Sequence, residues 1–308
     1  MRIQVSLLAF GIWLGACGAP SEIVQPEALE SDVSAEISVL GQVAAKDFDC
    51  PYYDGIQPIA AVAPSYIIIL GEAMHGTNES PEAFYALACH LAERGEPIRI
   101  GLEAPHTQSA GLETFLSHPD DTSVLRVGAD NSWSSHDGRS SEAMLLLLQR
   151  LADLRAKGVD VSVFAFDSDP QETMGAENVS IARDAAMARH VNDAVEGYEG
   201  AVLLLTGDFH ARKEAFSLGE YDIVPMATGI TVRPVLSLNM LHAGGTAWMI
   251  GEVDGEPFKG VMTLQNLLPS DALDKAFRLE RIRQGYDGVY YTGPITVSRP
   301  AFPDASDP

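Results

Sequence analysis

The chain has 308 residues, of which 46% are apolar, and a formal net charge of −23. That length is enough for one large α/β domain or two small ones, with a sizeable core. The acidity excludes a nucleic-acid binder, because no basic stripe is present to meet phosphates, and it reads as a solvated surface.

The first segment is "MRIQVSLLAFGIWLGAC". Arg2 gives a short positive start, and the apolar stretch from Val5 to Leu14 is too short to span a bilayer as a mature helix. Leu14, Gly15, Ala16 and Cys17 resemble the lipobox of bacterial lipoproteins. The resemblance implies removal of residues 1–16 as a signal peptide and lipidation of Cys17. The membrane is then a partner only through that anchor. Gly18 after the cysteine resembles outer-membrane sorting, which places the domain in the cell envelope facing the periplasm. An ordinary secretory signal is the alternative. Residues 17–47 are rich in Ser, Glu, Pro and Ala and read as a flexible tether. Cys50 and Cys89 then remain, and an oxidising compartment permits a bridge between them. Two unpaired thiols are the alternative.

Four continuous apolar runs follow: "SYIIILGE" (65–72), "IRIGLE" (98–103), "VSVFAFDSD" (161–169) and "AVLLLTGDFH" (201–210). Such runs suit parallel strands covered on both faces. Helical spacing marks 80–95, 140–158 and 180–198, with Asn78 or Ser80 as a cap for the first. The alternation predicts an α/β fold with a central, largely parallel sheet flanked by helices. Residues 104–139 are a long insertion that carries His106, Trp133, His136 and Arg139, the kind of segment that walls a site. Residues 220–298 read as more β, with "GTAWMIGEV" and other runs extending the same sheet. The domain is thus expected at 48–298, with a frayed tail at 299–308.

Each of the four runs ends in ionisable groups: Glu72 and His75, Glu103 and His106, Asp167 and Asp169, Asp208 and His210. Ligands of open parallel sheets bind outside the carboxyl ends of the strands, so these groups are expected at one rim. The alternatives are helix caps for Glu72 and Asp208 and a surface pair for Arg183 and Asp184. His90, His118, His190 and His242 read as surface or core residues, and Met74 and Met187 as packing.

Four stretches carry a family resemblance. "LGEAMHGTNE" (70–79) resembles the GE-x-x-HG-x-x-E signature of erythromycin esterase-like proteins. "GLEAP" (101–105), "ARDAAMARHV" (182–191) and "LLTGDFHARK" (204–213) resemble their second strand, their RD-x-x-MA helix and their fourth strand. The same skeleton occurs in ChaN-type haem-binding lipoproteins and, more loosely, in Tiki and TraB proteins. The resemblance implies a hydrolase acting on an ester, lactone or similar carbonyl of a small molecule, with no cofactor required. It implies His75 as general base, Glu72 as its orienting partner, and Glu103 as the second carboxylate. Arg183 would stabilise an oxyanion with Asp184 as its anchor, and His210 would be a second acid/base group. His106, Trp133, His136, Asp167 and Asp208 are the expected substrate-binding residues. Two alternatives follow from the same resemblance. One is a metal-dependent peptidase with His75, Glu103 and His210 around a divalent metal. The other is a haem- or iron-binding lipoprotein using a tyrosine such as Tyr52, Tyr53, Tyr66 or Tyr85.

Overall fold

The protein is described by a computed structural model covering residues 48–127, 132–218, 221–253, 256–266 and 275–303. The leader, the tether and Cys17 lie outside the described residues. Among those residues no helix is long and apolar enough to cross a membrane.

The first half follows the expected alternation. Helix α1 (Ile56–Val62) leads into β1 (Ile67–Glu72), α2 (Glu79–Glu93) and β2 (Ile98–Pro105). The insertion holds α3 (Ser109–Ser117), and α4 (Glu142–Ala156) leads to β3 (Val161–Asp167). A short α5 (Pro170–Thr173), α6 (Val179–Val195), β4 (Ala201–Gly207) and the one-turn α7 (Asp208–Ala211) complete it. Then come β5 (Phe216–Leu218), β6 (Tyr221–Ile223), β7 (Val235–Leu241), β8 (Gly245–Val253), β9 (Glu256–Leu264), β10 (Ala276–Arg278) and β11 (Gly288–Tyr291).

Seven strands form the central sheet in the order β10-β11-β7-β1-β4-β2-β3, and only β10 is antiparallel to its neighbour. Every residue of β1 is buried. Ile68 and Leu70 join the core under α2 and α4, while Ile67 and Ile69 join the core under α6. A strand with both faces covered has no polar face to show, which explains the unbroken apolar run. Ser141 caps α4 through Met144 N, and Asn178 caps α6 through Ile181 N at 3.1 Å. Asn78 precedes α2, but its side chain turns away from the helix to Thr296 and Val297. Cys50 and Cys89 form a disulfide, with Cα atoms 5.5 Å apart, that ties the entry to α1 onto α2.

Two expectations are corrected. Strands β7 and β11 extend the sheet, but "GTAWMIGEV" does not: it is β8, which pairs along its length with β9 in a separate antiparallel ribbon. The start of the expected frayed tail, through Phe302, is packed. Glu142 N donates to Arg299 O, Ala301 N to Ser140 O, and the Phe302 ring lies against Trp133.

Candidate active site at the carboxyl rim of the sheet

Strands β1, β4 and β2 are consecutive neighbours, and Glu72 is in register with Gly207. The register of β2 against β3 shifts between Leu102 and Pro105, and Glu103 sits in that irregularity. A bulge of this kind re-aims a side chain at a sheet end. Glu103 becomes the hub. Its Oε2 accepts from Thr206 Oγ1 and Gly207 N, both at 2.7 Å. Its Oε1 accepts from Arg183 NH2 at 2.7 Å and Arg139 NH1 at 3.1 Å.

Two histidines flank this hub. His75 Nδ1 is 2.6 Å from Glu72 Oε1, and its Nε2 faces Glu103 Oε1 at 3.8 Å. His210 Nδ1 is 2.8 Å from Asp184 Oδ1, and its Nε2 is 2.8 Å from Arg183 NH1. A guanidinium can only donate, so His210 Nε2 accepts and its proton sits on Nδ1, facing Asp184. His210 is therefore neutral in this arrangement, with its lone pair taken. His75 Nε2 has no such donor.

The space between the histidines is kept by a glycine. A Cβ on Gly207 would lie 3.6 Å from His75 Nε2, 3.7 Å from Glu103 Oε2 and 3.7 Å from His210 Cδ2. Behind the rim, Glu72, Glu103, Arg139 and Trp133 border a cavity of about 20 Å³, room for one water molecule. The insertion fixes His75 from the other side. Gly138, at φ +96°, packs so closely that a Cβ there would meet His75 Cβ at 2.9 Å.

Charge at the rim is unbalanced. Glu103, Asp137 and Asp167 bond the two guanidiniums of Arg139 and Arg183, while two further carboxylates, Glu72 and Asp184, hold the histidines. Burial alone would lower the His75 pKa, but Glu72 and Glu103 override it and raise the imidazole to about 9. Burial would raise Glu103, yet a charged His75 and the guanidiniums of Arg183 and Arg139 beside it hold it well below the usual carboxylate range.

The structure brings Glu72, His75, Glu103, Arg183 and His210 together with Asp167, and engages other expected site residues elsewhere. Asp167 spans Arg183 Nε and NH2 at 2.7 Å each and Arg139 NH1 at 3.1 Å, so both its oxygens are occupied by arginine. Asp184 anchors His210 and Met226 N rather than Arg183. Asp208 is turned toward Asn239 and Arg283, and its burial raises its pKa. His136 is held by Lys259 Nζ at 3.0 Å, and its carbonyl by Trp248 Nε1 at 2.8 Å. Trp133 is a buried wall of the small cavity. His106 stacks on His190, with ring centroids 4.1 Å apart, beside Asp169 and Glu172. Arg139 and Asp137 were not foreseen as site residues. Asp137 pairs both with the Arg139 backbone N and with its guanidinium.

As a metal centre the rim fits poorly. Arg183 occupies the Nε2 lone pair of His210, and four donors, two of them cationic, already occupy Glu103. A metal ligand set needs those lone pairs free.

No family model matches the chain, and no curated protein matches it. Among solved structures it is similar to a mutant of the erythromycin esterase EreC in its open conformation. The TM-score is 0.56 at 15% identity, covering 78% of this chain and 92% of that one. A succinoglycan biosynthesis protein aligns with TM-score 0.53 at 10% identity, over 79% of this chain and 92% of that one. A Bacillus cereus protein aligns with TM-score 0.50 at 12% identity, over 84% and 97%. At these identities the likeness is one of fold. The chain has the erythromycin esterase-like α/β fold.

Proposed function

We propose that the chain is a hydrolase in which His75 activates water against an ester, lactone or similar carbonyl of a small molecule. One observation carries this reading: His75 Nε2 faces an open space bounded by Glu103, Gly207 and His210, while Glu72 holds Nδ1.

Glu72 accepts the Nδ1 proton, which leaves Nε2 as the acceptor. The water gives one proton to Nε2 as its oxygen bonds to the carbonyl carbon. The carbonyl π pair moves to oxygen, where Arg139 and Arg183 supply positive charge. The imidazolium formed lies between Glu72 and Glu103, whose carboxylates favour it. It returns its proton to the leaving alkoxide as the C–O bond breaks, giving an acid and an alcohol. The raised His75 pKa measures how strongly the site favours that imidazolium. The same preference leaves little free base at neutral pH, so activity rises with pH.

The metallopeptidase reading conflicts with the occupied lone pairs of Glu103 and His210. Of the tyrosines a haem reading would use, Tyr66 precedes β1 at the far end of the sheet, Tyr53 packs on Phe277, and Arg150 lies over Tyr85. Lipidation at Cys17 and a periplasm-facing outer-membrane location belong to the proposal through the leader alone. Mass spectrometry of membrane-extracted protein tests this: a lipid-modified Cys17 supports it, and a mature chain starting beyond Cys17 contradicts it.

A panel of aryl esters and lactones, with and without a chelator, tests the activity. The wild type is expected to hydrolyse at least one class, His75→Ala to lose that activity while still folded, and the chelator to change nothing. Activity that survives His75→Ala, or that chelation abolishes, would overturn the mechanism.

A further inference from the structure

A second histidine cluster lies outside the rim chemistry. His106 follows β2, Glu172 sits on α5, and His190 lies on α6, seven residues or roughly 10 Å along the helix from Arg183. His106 and His190 contribute one ring nitrogen each and Glu172 a carboxylate oxygen, all within 4.8 Å of one another.

The hydrogen bonding of this cluster is unresolved in a specific way. His190 Nδ1 is 3.2 Å from Phe166 O. A carbonyl only accepts, so Nδ1 carries the hydrogen and donates it. On the neutral ring this aims the Nε2 lone pair at Glu172 Oε1, 3.1 Å away. Two acceptors so placed need a proton or a metal ion between them. His106 Nδ1 faces the same carboxylate. It lies 3.1 Å from Asp169 Oδ2 and 3.5 Å from Glu172 Oε2, is itself buried, and makes no hydrogen bond. The two rings lie 4.1 Å apart with their planes tilted by 31°, which brings His106 Nδ1 and His190 Nε2 to the same carboxylate. One shared metal cation would meet the His190 lone pair and give the buried His106 Nδ1 a partner.

We infer that His106, Glu172 and His190 form a binding site for a divalent transition-metal ion of the zinc class. The donor set, two imidazoles and a carboxylate, is one that zinc takes. Ligand atoms around a tetrahedral zinc lie about 3.4 Å apart, as bonds of ~2.1 Å require. The two histidine–Glu172 separations, 3.5 and 3.1 Å, already approach this. The supports are also in place. Phe166 O fixes the His190 tautomer, and Glu172 is held in a capping box with Asp169, the outer contacts that orient metal ligands. Arg189 pairs with the same Glu172 oxygen, but its side chain is more than half exposed and can swing into solvent. The ion would clamp the β2 exit, the β3 exit and α6. The same segments carry Glu103, Asp167 and Arg183. The other histidine-containing cluster, Cys50, His90 and Glu93, is set aside because Cys50 is in the disulfide.

The test is Co2+ titration of the chelator-washed full chain, read by visible absorption, with Zn2+ competition and melting temperature alongside. One Co2+ per chain is expected, displaced by Zn2+, with a higher melting temperature when Zn2+ is bound. His106→Gln and His190→Gln should weaken binding at least tenfold, and Arg189→Ala should strengthen it. The double variant His75→Ala with His210→Ala should bind like wild type. His106 is partly exposed, so His106→Gln decides the matter even if the His190 variant does not fold. No uptake by the wild type, undiminished uptake by His106→Gln, or loss of uptake in the His75/His210 variant would each overturn the site.

Discussion

At the end of β1, Glu72 holds the Nδ1 of His75; beyond β4, Asp184 holds the Nδ1 of His210. The two carboxylate–imidazole pairs flank the same Glu103, at 3.8 and 3.9 Å. They differ at the other nitrogen. Arg183 occupies His210 Nε2, while His75 Nε2 faces the space above Gly207. A carboxylate beside a histidine therefore does not make it a base; an unclaimed second nitrogen does. On this account His75 moves the proton and His210 positions Arg183.

Breaking each half should give unequal losses. His75→Ala is expected to lower kcat/KM by roughly 10²–10⁴-fold, the usual worth of a positioned general base. A loss below tenfold would erase the distinction. Gly207→Ala keeps every polar group but fills the space between the histidines, and should cost on the order of 10²-fold, with folding and melting temperature nearly unchanged. His210→Ala should cost about tenfold, because it loosens Arg183 rather than removing the base. Its pH profile should keep the wild-type alkaline limb, whereas a shifted limb would make His210 a proton carrier after all.

The pH dependence sharpens the same contrast. His75 is raised to about 9, so below that pH it is mostly imidazolium and cannot accept the water proton. The kcat/KM is expected to rise about tenfold per pH unit through neutrality and to level near 9. Replacing Glu72 by Gln removes the leading cause of the shift, so the limb should move toward the ordinary histidine range near 6.5. The smallest effect on activity is expected far from the rim. Replacing Cys50 and Cys89 by Ser should leave kcat/KM unchanged while costing about 4 kcal/mol of stability, as a loop of 39 residues implies.

The parallel core was legible because strands buried on both faces must be continuously apolar, as Ile67 to Leu70 are. Glu72, Glu103 and His210 were legible for the complementary reason: a charge ending such a strand lands at the rim. What failed was direction. Arg183 and Asp184 are adjacent on α6, about 100° apart around the axis, so they do not pair with each other; Arg183 meets Glu103, Asp167 and the Nε2 of His210, and Asp184 meets the Nδ1 of the same histidine. Arg139 could be placed in the wall segment but given no role, because the insertion has no periodicity to orient it; the positive φ of Gly138 helps bring that turn onto His75. The ribbon β8–β9 was misplaced because an apolar run shows that a strand is buried, not which strand it pairs with.

The central claim is that the rim stabilises the imidazolium of His75, and an NMR pH titration of its ring in the free protein tests this most directly. The account predicts a midpoint near 9 that falls in Glu72→Gln. A midpoint at or below 6.5 in the wild type would contradict it.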